Sequence, residues 1–136
     1  MSHRAKSIAA LQSLKSPWVI AHRGFSGQFP ENTLVAFEAA VGGRADMIEL
    51  DVSLSRERVP LVIHDDTLER TTSGSGRVQD LTLQELQRLD AGSWFGEPFR
   101  GARIPTLEEV FRRVGPQIAI NVELKPKGFE EDNPED

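Results

Sequence analysis

Two short stretches of this chain alternate apolar and polar residues without a break, and both carry ionisable groups on the polar side. Residues 47–54 read Met-Ile-Glu-Leu-Asp-Val-Ser-Leu, and residues 118–125 read Ile-Ala-Ile-Asn-Val-Glu-Leu-Lys. A period of two is that of a β-strand, whose successive side chains point to opposite faces. Ile48, Leu50, Val52 and Leu54 therefore share one face, and Glu49, Asp51 and Ser53 share the other. In the second stretch Ile118, Ile120, Val122 and Leu124 oppose Ala119, Asn121, Glu123 and Lys125. Side chains two apart on a strand sit roughly 6–7 Å apart along it. If the two strands are neighbours, Glu49, Asp51, Glu123 and Lys125 converge on one small site. Three carboxylates beside a lysine suit a hard divalent cation and an anionic ligand. The same pattern also describes two amphipathic strands with one face in water.

The chain has 136 residues, enough for one domain with a real core and too few for two ordinary ones. No apolar run approaches the ~20 residues that span a bilayer, so no stable membrane anchor is expected. The basic N-terminus has an apolar stretch of only four residues, 8–11, too short for a signal-peptide core, and a cytoplasmic location is the expectation. The absence of cysteine excludes disulfides and thiolate metal sites and leaves oxygen and imidazole ligands. Of the net charge of -5, residues 126–136 hold -4, with one lysine against five acids. That segment reads as an acidic, solvated tail. The body is nearly neutral with no Lys/Arg stripe, which argues against nucleic acid as a partner.

Residues 1–16 read as an N-terminal arm. Residues 17–22 and 60–64 are short apolar runs that predict strands, each ending in a histidine. Asn32 is placed to cap a helix through Leu34, Phe37 and Val41 that Gly42-Gly43 ends. Thr82–Glu85 and Thr106–Glu109 spell capping boxes that open two further helices. Residues 65–105 lack the regularity of the rest, and Ser73-Gly74-Ser75-Gly76 within them reads as a flexible loop. Apolar strands alternating with amphipathic helices predict parallel strands with helical crossovers, although strands two and three are joined by a short polar link without a helix. In (β/α)₈ barrels the chemistry sits at strand C-termini. Four consecutive strand ends here carry His22, then Glu49 and Asp51, then His64, then Glu123 and Lys125.

His22 and His64, taken together beside carboxylates, fit a general acid and a general base, because imidazole titrates near neutrality. Arg23 offers a planar donor fork suited to phosphate, and Gly24 lets backbone approach a ligand closely. Five ordered motifs carry a resemblance across residues 18–125: A-H-R-G-x5-P-E-N-T at 21–33, I-E-L-D-V at 48–52, H-D-x-T-L-x-R-T-T at 64–72, I-P-T-L-E-E at 104–109 and V-E-L-K at 122–125. Together they resemble the glycerophosphodiester phosphodiesterase family. The resemblance implies a TIM-like barrel, one bound Mg²⁺ or Ca²⁺, and hydrolysis of a small-molecule glycerophosphodiester to sn-glycerol 3-phosphate and an alcohol, within lipid and glycerol metabolism. It makes Glu49, Asp51 and Glu123 the metal ligands, His22 and His64 the acid/base pair, and Arg23 and Lys125 the phosphate ligands.

A complete (β/α)₈ barrel usually takes about 200 residues or more. The expected fold is therefore α/β, the N-terminal half of a TIM-like barrel over 17–125, with a small insertion of about 66–105 after the third strand and the acidic tail at 126–136. Half a barrel leaves open sheet edges, through which self-association is expected. A truncated, non-catalytic remnant that binds metal or phosphodiester without turnover is the competing reading. An amidohydrolase is disfavoured, because no H-x-H pair occurs.

Overall fold

The computed structural model describes residues 18–124. The arm at 1–16, Lys125 and the acidic tail at 126–136 lie outside the described residues. Among the described residues, the strands and helices that place the site are β1 (Ile20–His22), α1 (Leu34–Gly42), β2 (Met47–Leu54), β3 (Pro60–Val62), α2 (Leu83–Gln87), α3 (Leu107–Val114) and β4 (Ala119–Leu124).

The sheet is organised around β2. It pairs in parallel with β1, His22 opposite Glu49, and in parallel with β4, Asp51 opposite Glu123. The expected adjacency of the two alternating stretches is therefore direct. Right-handed βαβ logic explains the order: α1 returns the chain from β1 to β2, and α3 returns it to β4. No helix of the described residues is long and apolar enough to cross a membrane.

Residues 60–64 depart from the parallel arrangement. Only Pro60–Val62 is strand, and it runs antiparallel to the end of β2, with Val52 opposite Val62 and Leu54 opposite Pro60. The polar link at 55–58 is too short for a crossover, which leaves a hairpin as the available connection. Arg58 takes φ +68° in this turn, and the Arg58 N–H donates to Ser55 O. Among the described residues three strands, β1, β2 and β4, run parallel rather than four, and the hairpin arm leads into the irregular segment that follows.

Two apolar cores result. The barrel core packs Ile48, Leu50 and Val52 of β2 against Phe37 and Ala40 of α1, Val110 and Val114 of α3, and Ile118. The insertion core gathers Leu61, Ile63, Leu68, Val78, Leu86 and Ile104. Both capping boxes form: the Thr82 and Thr106 hydroxyls accept from the Glu85 and Glu109 N–H groups, and each glutamate reaches back to its cap. The loop around Ser73–Gly76 is tied in place, with the Ser73 N–H on Asp90 O and the Gly76 N–H on Glu69 Oε1.

The cap of α1 differs from expectation. Thr33, not Asn32, stands at the N-cap and accepts from the Ala36 N–H. Asn32 sits in the left-handed region at φ +56°, which turns its amide away from the helix and toward β2.

Candidate active site

All eight residues of β2 are buried, so the polar face of this strand is not the wet face of an amphipathic sheet. Glu49, Asp51 and Ser53 are buried alongside the apolar residues that alternate with them. A buried carboxylate needs donors or a cation to offset its lost hydration. Asp51 receives the Asn32 amide at 3.0 Å and has the Arg23 guanidinium beside it, Nε to Oδ2 at 3.4 Å. Glu49 has no such donor: both of its oxygens are buried without a hydrogen-bond partner. His22 Nε2 is 3.3 Å from Glu49 Oε2, on an imidazole that is otherwise 62% exposed.

Glu123 joins the pair from β4. Ligand oxygens of Glu49, Asp51 and Glu123 all lie within 4.8 Å of one another, so the three carboxylates could hold a metal ion. Their mutual crowding shows in the acidity of Glu49. Burial first, then a hydrogen bond to Glu123 and the charges of Asp51 and Glu123, push it up from 4.5 to about 7. That hydrogen bond requires one of the two carboxyls to hold a proton. With both ionised, the Glu49 oxygens are left without a donor.

The β1–α1 loop is shaped to bring Arg23 in. Arg23 takes φ +58°, and its N–H donates to Glu49 O at 2.7 Å. Gly24 follows at φ +82°, where a Cβ would come within 2.7 Å of Ala36. Only glycine fits both constraints. The Arg23 side chain donates from Nη1 to Glu31 Oε2 at 3.1 Å, so this arginine is anchored between Glu31 and Asp51.

His64 lies just past the antiparallel strand, and its Nδ1 is 2.7 Å from Asp65 Oδ1. It touches Asp65 and is linked to the carboxylate cluster through side chains rather than directly. Arg70 binds Asp65 and Glu31 together, and Glu31 binds Arg23, which reaches Asp51. Of the expected site residues, then, Glu49, Asp51 and Glu123 cluster, His22 and Arg23 border the cluster, and His64 stands in the linked arm. Lys125 lies outside the described residues.

Four further residues join this network: Glu31, Asp65 and Arg70, which the sequence does not mark singly, and Asn32, expected as a helix cap and found on Asp51 instead. All four fall inside the quoted motifs P-E-N-T and H-D-x-T-L-x-R-T-T. Their motif positions are the available signal, since each residue taken alone reads as a cap or a surface charge.

Comparison with known proteins identifies the family of the chain. Residues 22–136 match the Glycerophosphoryl diester phosphodiesterase family. A glycerophosphodiester phosphodiesterase of Caldanaerobacter subterraneus subsp. tengcongensis is 54% identical over 108 residues, covering 79% of this chain and 44% of that protein. The solved glycerophosphodiester phosphodiesterase from Agrobacterium tumefaciens superposes with a TM-score of 0.78 at 40% identity, over 80% of this chain and 47% of that one. A phosphodiesterase from Oleispira antarctica, solved with the product sn-glycerol-3-phosphate, also gives 0.78, at 45% identity, over 80% and 44%. The chain spans 44% of the length of the bacterial curated relatives it matches and 28–33% of the mammalian ones.

Proposed function

Because the chain belongs to the glycerophosphoryl diester phosphodiesterase family, we propose that its site serves metal-dependent hydrolysis of glycerophosphodiesters to sn-glycerol 3-phosphate and an alcohol. One observation carries the reading: three carboxylates within 4.8 Å of one another, one of them with both oxygens buried and undonated. Such a group fits a divalent cation, Mg²⁺ or Ca²⁺, held by Glu49, Asp51 and Glu123. The ion, when bound, would offset the negative charge of the diester and of its transition state.

The remaining tasks fall to the chain's own side chains. Arg23 and Lys125 bind the phosphate as donors. Of His22 and His64, one takes the proton from the nucleophile, either water or the glycerol hydroxyl next to phosphorus, whose cyclic phosphate a water then opens. The other returns a proton to the leaving alkoxide. Residues 17–125 form the barrel portion, with about 66–105 as its insertion, 1–16 as an arm and 126–136 as an acidic tail. A small-molecule diester, rather than nucleic acid, is the substrate of a soluble, cytoplasmic protein in glycerol and lipid metabolism.

A second reading, binding without turnover, is favoured by the open sheet. Among the described residues β1 and β4 each pair on one edge only. Incubation with glycerophosphocholine and Mg²⁺ or Ca²⁺ separates the two. Released sn-glycerol 3-phosphate, reduced about 10²–10⁴-fold in His22→Ala and His64→Ala, is the expected result. Ion binding with no product would establish the second reading instead.

A further inference from the structure

Arg70 lies in the insertion, 39 residues from Glu31 in sequence, yet one guanidinium holds both Glu31 and Asp65. Nη1 and Nη2 donate to the two oxygens of Glu31 at 2.8 and 3.0 Å. Nε and Nη2 donate to the two oxygens of Asp65 at 2.8 and 2.9 Å. The Trp94 ring flanks the same guanidinium, its centroid 6.0 Å away, within cation–π range. A planar fork engaged on two carboxylates has little freedom to rotate.

This arrangement determines what Asp65 can do for His64. Arg70's hydrogen bonds, followed by His64's own, hold the Asp65 carboxyl well below the usual carboxylate range, and Asp65 and Glu31 push Arg70 upward in turn. An ionised carboxylate accepts and cannot donate. The hydrogen in the 2.7 Å contact between Asp65 Oδ1 and His64 Nδ1 therefore sits on the imidazole. With Nδ1 protonated, a neutral His64 keeps its lone pair on Nε2.

We propose that Asp65 and Arg70 are positioning residues that lock His64 in its Nδ1–H tautomer, so that Nε2 is the proton acceptor the site presents. Glu31 completes the device from the other side, because it holds Arg70 and Arg23 at once. The hairpin arm's histidine, through Arg70, and the β1–α1 loop's arginine are thus set by one shared carboxylate. The use made of the Nε2 acceptor rests on the phosphodiesterase reading; the tautomer does not.

Long-range ¹H–¹⁵N spectra of the full chain, taken at alkaline pH where imidazoles are neutral, read the tautomer directly. Wild type should show Nε2 unprotonated. Asp65→Ala should move His64 toward the Nε2–H form that a free imidazole favours, and Arg70→Gln should move it part of the way. Arg70→Lys should fall between wild type and Arg70→Gln, since an ammonium cannot span both carboxylates as a fork. In turnover of glycerophosphocholine, Asp65→Ala and Arg70→Gln should lower kcat about 10–100-fold, the size usual for carboxylates that orient an imidazole, with KM little changed. An Nε2–H tautomer in wild type, or a tautomer unmoved in Asp65→Ala, would overturn the proposal. The expected tautomers in a chain without turnover would uphold the positioning device and defeat the phosphodiesterase reading.

Discussion

Asn32 donates its side-chain amide to Asp51 at 3.0 Å from a position immediately before a helix that it does not cap. The left-handed backbone at φ +56° makes this reach available, and asparagine tolerates that region better than most residues. Its neighbour Thr33 is left to cap the helix. One dipeptide therefore serves both the scaffold and the carboxylate cluster.

Asn32→Ala should lose the donor to a buried carboxylate and add a strained backbone, for about 1–3 kcal/mol of stability. Asn32→Asp should cost more, because it sets a second carboxylate against Asp51. Urea unfolding of the metal-free chain measures both. Equal stability of wild type and Asn32→Asp would show that the contact is not formed in solution.

Cation binding should depend on all three carboxylates. Titration calorimetry with Mg²⁺ or Ca²⁺ should show a single site whose affinity drops sharply in Glu49→Gln and Glu123→Gln. Both variants remove charge while keeping shape, so loss of folding is not expected to confuse the result. Unaltered affinity in either would remove that residue from the ligand set.

Acidity gives a further test with a definite sign. Glu49 is raised from 4.5 to about 7, so between those values the folded chain holds a proton that the unfolded chain has released. Stability of the metal-free chain should then fall as pH rises through that window. A bound cation replaces the proton, so the fall should shrink when Mg²⁺ or Ca²⁺ is present, and ion affinity should climb over the same range. Thermal melting from pH 5 to 8, with and without the ion, checks this. A metal-free melting temperature that rises steadily to pH 8 would contradict it.

The open edges lead to a prediction about association. Among the described residues β1 and β4 are each paired on one side, and Val19, Ile20 and Leu124 are exposed apolar residues at or beside those strands. Unpaired edges with apolar side chains template pairing with other chains. Size-exclusion chromatography should show a concentration-dependent shift above the monomer. A monomer throughout a hundredfold range of concentration would mean that the edges are protected.

The parts legible in the sequence were those governed by local rules. The period-two pattern located β2 and β4, and both capping boxes formed where Thr-x-x-Glu was written. The shared face of Glu49 and Asp51 followed from strand geometry, and the pairing of Asp51 with Glu123 followed once the strands were assumed adjacent. What escaped was non-local. Whether Pro60–Val62 runs parallel or antiparallel depends on the four-residue polar link before it and on what it packs against, and its composition is the same in either case. The burial of the polar face of β2 was likewise invisible, because alternation reports which residues share a face and not what covers it. Arg70 looked like a surface charge because its partners lie 5 and 39 residues away.

The hairpin has a mechanical implication. β2 is one unbroken strand: its first six residues pair with β4, and its last three pair with β3. The arm that carries His64 is therefore a rigid continuation of the strand that bears Glu49 and Asp51, with no hinge between them. A lid that swings His64 in and out would have to tear strand hydrogen bonds, including the Ile63 N–H on Asp51 O. The spacing between His64 and the carboxylates is therefore tied to the strand pairing of β2 and β3, and is set when the chain folds.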